Sequence, residues 1–421
     1  MLKKEKIFLA TFFLVLSIIF TPAIIYKNKN IIKEYFWVYL PERLQIILKL
    51  VVNKKLTNNF KNDYNTKFLP DTQFQEVLLE KIDLSFLKSK NFSTNNYFNT
   101  SGLKSFFIED MDDKKIWIIN DNAQIYELDK TNFQKGKKIN NVKKIKSNLN
   151  VSKVLDTLVV ENKIFISLKE KNSGCEKFKI IFARINDDKL NFKNFFYDDE
   201  CGKNIQAGRM QKYVHNKNRG ILFTTGDNDS DNPNLKPQQR DSIYGKIIFQ
   251  DFNSKQYEIF SVGHRNGQGL YVNDKLILMT EHGPRGGDEI NKIIFKKNYG
   301  WPIASYGEKY SSNNLVYYKK SHENYGFEEP IYAFVPSIGI CELIRLPNSF
   351  SKKWNNNFLI TSLYGKSLFR VKFDKNFNKI IFIEKIYVGE RIRDIKYSEL
   401  NNMILLAFEE KGQLGILTLS K

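Results

Sequence analysis

A chain of 421 residues that is 42% hydrophobic and 27% charged can bury a sizeable core, which excludes wholesale disorder. Its formal net charge is +20, but the lysines are scattered and no nucleic-acid-binding module gathers them, so a nucleic-acid partner is not indicated. Aromatic residues reach 14%, a composition that favours strands over helices.

Residues 1–6 carry Lys3, Lys4 and Lys6 and are read as a cytoplasmic amino terminus. Ile7 to Tyr26 then runs without a charge. At about 1.5 Å per residue it is long enough to cross a hydrocarbon layer of roughly 30 Å. A cleaved signal peptide needs a shorter apolar core and small residues at the cleavage point, and only Thr21–Ala23 approaches that. Residues 7–26 are therefore read as an uncleaved transmembrane signal anchor. Either reading puts the rest of the chain on the extracytoplasmic, periplasmic side.

Residues 27–102 are expected to form a helical connector. Ile31, Ile32, Tyr35, Phe36 and Val38, then Leu44, Ile47, Leu48 and Val51 after Pro41, recur at helical spacing. Beyond Thr57 the pattern weakens and Asn becomes frequent.

From Leu103 the rhythm changes to short apolar runs bounded by Asn, Asp and Gly. Strands are expected at Ser105–Ile108, Lys115–Ile119, Gln124–Leu128, Thr157–Val160, Lys163–Leu168 and Phe178–Ile185. Further runs are Ile221–Thr225, Ile243–Phe249, Leu276–Thr280, Glu289–Phe295, Phe358–Ser362, Ser367–Phe373, Ile380–Tyr387, Ile404–Phe408 and Leu414–Leu419. No long amphipathic helix separates them, which argues against βαβ units. Such an array fits a radial propeller of four-stranded blades. Six blades need roughly 300 residues at about 45–50 each, which residues 103–421 supply. The fold class is thus all-β, a six-bladed β-propeller preceded by a transmembrane helix and a short connector.

The three cysteines, Cys175, Cys201 and Cys341, show no zinc-binding spacing. Outside the cytoplasm Cys175 and Cys201 can pair; otherwise they are two separate loop thiols. Cys341 lies in an apolar strand, Ile338–Leu346, as a buried thiol.

The densest chemistry lies between Gly263 and Gly307. GHRNGQGL (Gly263–Leu270) is followed by TEHGPRGGDEIN (Thr280–Asn291) and NYGWPIASYG (Asn298–Gly307). Gly, Pro and charge at this density mark loops that a ligand approaches closely. These three segments, in this order, resemble the glucose/sorbosone dehydrogenase family, soluble six-bladed aldose dehydrogenases that use pyrroloquinoline quinone (PQQ). TGDND (Thr225–Asp229) and RIRD (Arg391–Asp394) match as well, and the resemblance runs from about Ser105 to Leu419.

The resemblance implies a site. PQQ is a flat tricarboxylate, and guanidinium groups meet carboxylates in a bidentate, planar way. It assigns Arg265, Arg391 and Arg393 to the cofactor, with Asn266 at a quinone carbonyl and Gln206 beside them. Calcium would be held by the carbonyls of Gly283 and Pro284 and would act as a Lewis acid on the quinone. Arg391 with Asp394 also reads as a surface ion pair, Asp288 and Glu289 as a solvated turn, His264 as a loop anchor and Trp301 as packing.

The match fails at two places. The family's base is the His of an HxxGR-like pattern, but here the stretch is Ile205-Gln206-Ala207-Gly208-Arg209, and Ile205 accepts no proton. Tyr364 stands where the family often has a cofactor-touching Lys, and Lys366, two residues on, is expected to compensate. Val335 stands where a Trp can occur. Of the remaining histidines, His215 lies in a turn away from these motifs, and His282 is the substitute base to consider.

Three functions are therefore carried forward. The first is a membrane-anchored, PQQ-dependent sugar or alcohol dehydrogenase whose electron acceptor the sequence does not identify. The second is a catalytically degenerate propeller that binds a carbohydrate or an anionic ligand without turnover. The third is a scaffold whose membrane-proximal segment recruits a partner. The retained arginines favour the first two.

Overall fold

The computed structural model describes residues 76–87 and 102–420, apart from 134–137, 140–141, 150–152, 173, 186–188, 230–233, 255 and 310–317. The expected anchor at 7–26 and most of the expected connector lie outside the described residues. Among the described residues no helix is long and apolar enough to cross a membrane.

After a first strand, β1 (Val77–Leu84), the chain forms six sheets in sequence order. Blade 1 contains β2 (Phe106–Asp110), β3 (Lys115–Asn120), β4 (Ile125–Asp129) and, after the short β5 (Lys138–Ile139), β6 (Lys143–Ile145). Blade 2 holds β7 (Lys153–Val160), β8 (Lys163–Asn172), β9 (Cys175–Arg184) and β10 (Lys193–Tyr197). Blade 3 holds β11 (Ala207–His215), β12 (Asn218–Thr225), β13 (Lys246–Asp251) and β14 (Tyr257–Val262). Blade 4 holds β15 (Gly267–Asn273), β16 (Leu276–Glu281), β17 (Asp288–Lys292) and β18 (Tyr332–Phe334). Blade 5 holds β19 (Ile340–Arg345), β20 (Phe358–Ser362), β21 (Ser367–Phe373) and β22 (Ile380–Tyr387). Blade 6 holds β23 (Ile392–Ser398), β24 (Met403–Phe408) and β25 (Gln413–Leu419).

The first strand completes the last blade. β1 runs antiparallel to β25, from Val77↔Leu419 to Asp83↔Gln413, so blade 6 is closed by both ends of the described chain. This corrects the expectation of a helical connector across 27–102, because the ring starts ahead of residue 103. The sequence VLLEKIDL mixes charged and apolar residues and lies apart from the other strands, so local periodicity did not reveal it. Its partner is more than 300 residues away.

The innermost strands β2, β7, β11, β15, β19 and β23 touch in turn around the axis. Apolar side chains pack between neighbouring blades, such as Leu222, Ile247, Leu270 and Met279 between blades 3 and 4. Full burial of each such side chain contributes about 1.5–3 kcal/mol. Five inner strands shift register near their first residues: at 154/156, 207/210, 267/269, 340/343 and 392/394. A bulge bends a strand and re-aims a side chain, here at the mouth of the ring.

Below those bulges the axis is filled with charge. The buried Arg209 Nη1 lies 2.9 Å from Asp156 Oδ1, 3.0 Å from Glu342 Oε2 and 3.5 Å from Asp394 Oδ1. Lys396 Nζ lies 3.6 Å from Glu109. The carboxylates also staple blades together. Asp394 accepts from Ile108 N at 2.9 Å, Asp156 from Met210 N at 2.9 Å and Glu342 from Leu270 N at 3.2 Å. Buried charge persists only when paired and hydrogen-bonded, and this cluster meets both conditions.

Candidate cofactor site at the mouth of the ring

The loops at the mouth enter the inner strands or join the second strand of a blade to its third. Gly263–Asn266 leads from β14 into β15, and His282–Gly287 joins β16 to β17. Gly263 has φ +78°, and a Cβ there would collide with Asn298 Oδ1 and Gly300 N. The first and third motifs therefore interlock through a position that tolerates only glycine.

His264 anchors this loop. Its Nε2 is 2.8 Å from Ser261 Oγ, its Nδ1 is 3.2 Å from Glu281 Oε2, and its ring stacks on Tyr299. Glu281 also accepts from the Arg265 backbone N–H. The Arg265 guanidinium lies over Trp301, 5.3 Å from the ring centroid. Its Nη1 donates to the carbonyls of His282 at 3.1 Å and Gly283 at 2.9 Å. Trp301 Nε1 in turn donates to Asp227 Oδ2 at 3.0 Å, so the tryptophan packs and also ties in the TGD loop. A small recess opens among Arg265, Glu281, His282, Gly283, Trp301 and His322.

Asp288 and Glu289 are buried, so they do not form a solvated turn. Asp288 clamps two loops: Oδ1 accepts from Gly283 N and Ser337 Oγ, and Oδ2 from Ile338 N and Ile340 N, all within 3.1 Å. Burial, with Glu281 nearby, pushes the Glu289 carboxyl well above its usual range.

His282 stands between the clamp and the arginines. Burial pushes its pKa down, Asp288 opposes this, and Arg265 and Arg393 reinforce it. Its imidazole hydrogen-bonds the Ile340 carbonyl, and Nε2 has no partner among the described residues. A neutral ring with one nitrogen donating to a carbonyl keeps a lone pair on the other.

Arg391 and Arg393 share one carboxylate. Their Nε atoms donate to Glu409 Oε1 at 2.8 Å and Oε2 at 2.7 Å, and Ser105 Oγ adds a bond to Oε2 at 2.9 Å. Burial alone would raise the Glu409 pKa, but the two guanidinium groups outweigh it and hold it at about 2. Arg393 Nη1 reaches Gln268 Oε1 at 3.3 Å, and Gln268 Nε2 donates to Asn266 Oδ1 at 2.7 Å. Arg265 and Arg393 both act on His282, and the chain of bonds from Arg393 through Gln268 to Asn266 joins the two sides of the mouth. Asp394 is not the partner of Arg391. It accepts from Ile108 N and faces Arg209 along the axis.

Three of the expected site groups have other partners in this structure. Lys366 does not serve the mouth: its Nζ is held by both oxygens of Glu410 at 2.8 Å, in a turn where its own φ is +47°. Gln206 does not join the arginines, since its amide donates to Asn204 Oδ1 at 2.9 Å within its own loop. The Gly283 carbonyl, an expected calcium ligand, accepts from Arg265 Nη1 at 2.9 Å, which leaves it one lone pair.

Ile205 is fully buried among Phe178, Phe196 and Tyr244, in the core between blades. The side chain at the position of the missing base is thus enclosed by apolar neighbours. Tyr364 and Val335 are exposed. His215 ends the nine-residue β11, eight residues on from Ala207, which at about 3.3 Å per residue places it roughly 25 Å from the mouth end. There it packs against Phe249, Phe260 and Phe295. Sequence reasoning missed Gln268, although it lies inside the GHRNGQGL segment, and also Glu409 and Lys153, which lie in none of the quoted motifs. Cys175 and Cys201 form a disulfide, and Cys341 is a buried free thiol.

Comparison with known proteins agrees with this geometry. Residues 108–416 match the glucose/sorbosone dehydrogenase family model. The aldose sugar dehydrogenase of Escherichia coli is 28% identical over 213 residues, 47% of this chain and 56% of that protein. The chain spans about half the length of the curated relatives it matches first. The crystal structure of the soluble aldose sugar dehydrogenase from Escherichia coli in the apo-form aligns with TM-score 0.64 and 20% identity, covering 82% of this chain and 99% of that one. The PQQ-bound form of aldose sugar dehydrogenase from Streptomyces coelicolor aligns with TM-score 0.56 and 16% identity, over 83% of this chain and 100% of that one.

Proposed function

The chain belongs to the glucose/sorbosone dehydrogenase family, and from that premise we propose that it oxidises a sugar or alcohol hydroxyl with PQQ bound over the mouth of the ring. The observation that carries this reading is the pair Arg391 and Arg393 on the buried Glu409, with Arg265 and Asn266 joined to them through Gln268 and His282. Each arginine of the pair spends its Nε on Glu409. The fork of Nη donors on each is therefore pre-oriented, which suits the carboxylates of a planar ligand.

Bound there, the quinone would supply the hydride acceptor. The chain's own residues would do the rest. Oxidation breaks a C–H bond, whose electron pair leaves with the hydride, and an O–H bond, whose proton goes to a base. In this reading His282 Nε2 receives that proton. Arg265, Arg391 and Arg393 orient the cofactor, and the exposed Tyr364 lies beside Gly339 at the rim, where a sugar ring would enter. Calcium, if bound, would be held at the carbonyls of Gly283 and Pro284, and no step is assigned to the ion.

The chain is further proposed to lie on the extracytoplasmic side, anchored by residues 7–26. The Cys175–Cys201 disulfide supports an oxidising compartment. The partner that reoxidises the cofactor is an electron carrier outside this chain.

One observation favours a second reading, in which the propeller binds a carbohydrate or an anionic ligand without turnover: Ile205 is fully buried in the core, so the usual base is absent and its position is closed. Titration of the full chain with PQQ, with and without calcium, separates these outcomes. Saturable binding with dye-coupled aldose oxidation supports the dehydrogenase, and binding without oxidation supports the second reading. Absence of saturable binding overturns both in their present form.

A further inference from the structure

We infer that Lys153 is a fourth cation of the mouth, added on the blade 2 side, and that it takes a carboxylate of the bound ligand; this rests on the cofactor reading above. Lys153 opens the inner strand β7 and is half-buried. Two residues along, Leu155 lies against Gly208, where an added Cβ would meet Leu155 Cβ at 2.7 Å. Lys153 therefore sits above that level, at the mouth end of the ring. Directly opposite it in the ladder is Lys169. Like charges facing each other across strands are unfavourable unless something neutralises one of them. Lys169 is neutralised: its Nζ is held by Glu176 at 2.9 and 3.0 Å. Lys153 is not, and its ammonium forms no hydrogen bond or ion pair with a described residue.

The charged groups that face it are Arg393 from β23, Lys169 from β8, Glu409 after β24 and Asp121 from the turn after β3. Glu409 has both oxygens committed, to Arg391 on one side and to Arg393 and Ser105 on the other. Two cations and two carboxylates thus face Lys153, and one of those carboxylates, Glu409, is already shared by two arginines. Burial, then Arg393 and Lys169, push the Lys153 pKa down to about 8. An ammonium held near neutrality beside two other cations is stabilised by an incoming anion, which draws a proton back onto it. The role expected of Lys366, and of a Lys at position 364, passes to a residue on the opposite side of the ring. No chemical step is involved, only ion pairing and proton uptake.

The test is calorimetric titration of the full chain, using PQQ and a flat benzene tricarboxylate as separate probes. Measurements at pH 6.5, 8 and 9.5, in buffers of different ionisation enthalpy, report proton uptake. For the wild-type chain we expect uptake of part of a proton at and above pH 8, with affinity falling as pH rises through that value. Lys153→Met should weaken binding about ten- to a hundredfold at pH 6.5 and abolish both uptake and pH dependence. Lys153→Arg should keep the affinity and remove the pH dependence, with unchanged thermal midpoints showing that both variants fold.

Flat wild-type binding without uptake, an unaltered Lys153→Met, or no binding of either probe would overturn the inference. The dehydrogenase reading fails separately, if both probes bind with Lys153 dependence but no aldose is oxidised. The inference fails alone if Lys153→Met binds and oxidises like the wild-type chain.

Discussion

The ring holds two clusters of buried charge, one along its axis and one at its mouth, and they are balanced in opposite directions. Along the axis Arg209 and Lys396 face Glu109, Asp156, Glu342 and Asp394, so carboxylates are in excess. On the blade 6 side of the mouth Arg391, Arg393 and Lys153 gather around Glu409, so cations are in excess there, whereas Arg265 on the far side of His282 lies beside Glu281. The titration directions follow. Burial pushes Asp156 up to about 7 and raises Glu342 and Glu109. At the mouth the carboxylate is held at about 2 and the lysine is depressed to about 8. The axis satisfies its charges internally and staples the blades, whereas the mouth leaves positive charge for a ligand.

If that contrast is right, perturbing the two clusters should affect different properties. The largest expected effect is Arg209→Met. It strands three carboxylates without their cation, and breaking a buried pair from one side typically costs about 3–5 kcal/mol. Chemical denaturation should show the loss; a stability near wild-type would mean the axis is not a closed network. Arg393→Gln should act the other way round, weakening PQQ binding about tenfold or more while changing stability less. Titration by absorbance checks it, and equal losses in stability and binding would erase the distinction between the clusters.

A third substitution probes the side of the mouth where the family keeps its base. Ile205→His puts an imidazole into an apolar core and should destabilise by about 1–3 kcal/mol, without raising aldose oxidation. A tenfold gain in oxidation would mean that this loop turns its side chain to the mouth. The smallest expected effect is in pH dependence. Asp156 binds its proton more tightly in the folded chain than in the unfolded one, where 3.8 is the usual value. The folded state therefore holds more protons between about pH 4 and 7, and this group's contribution to stability is lost as pH rises through that window. Glu409 has the opposite sign: its contribution is present above the usual carboxylate value and is lost as pH falls towards about 2. Denaturation midpoints of Asp156→Asn and of the wild-type chain, compared from pH 5 to 8, should converge at low pH and separate at high pH.

The parts of the fold that can be read from the sequence are the two middle strands of each blade and the inner strands β2, β7 and β19, whereas among the outer strands only β22 stands out. Phe358–Ser362, Ser367–Phe373 and Ile380–Tyr387 were expected and found with those bounds. The inner strands β11, β15 and β23 were not anticipated. They carry Arg209, Gln268 and Asp394 towards an axis that is polar, and their bulges break the alternation that marks a strand. Strand β1 was missed for a different reason, since its register is set only by β25. At the site, Arg265, Arg391 and Arg393 were legible because they lie inside spaced motifs. Lys366 was misassigned because Glu410, in another blade, holds it, and Lys153 was overlooked because nothing adjacent in sequence marks it.

By itself the sequence determined the repeat of short strands, the all-β class and the motifs that place three arginines in loops, since these depend on local periodicity and spacing. Which way each side chain turns, and what faces it, was decided only by ring closure. Closing six blades on one axis brings Glu409 to Arg391 and Arg393, Asp156 to Arg209, and Lys153 to the mouth. It also turns Ile205 into the core. Charges separated by tens to hundreds of residues then share one low-dielectric space, where their balance fixes which cluster holds the fold together and which remains open to a ligand.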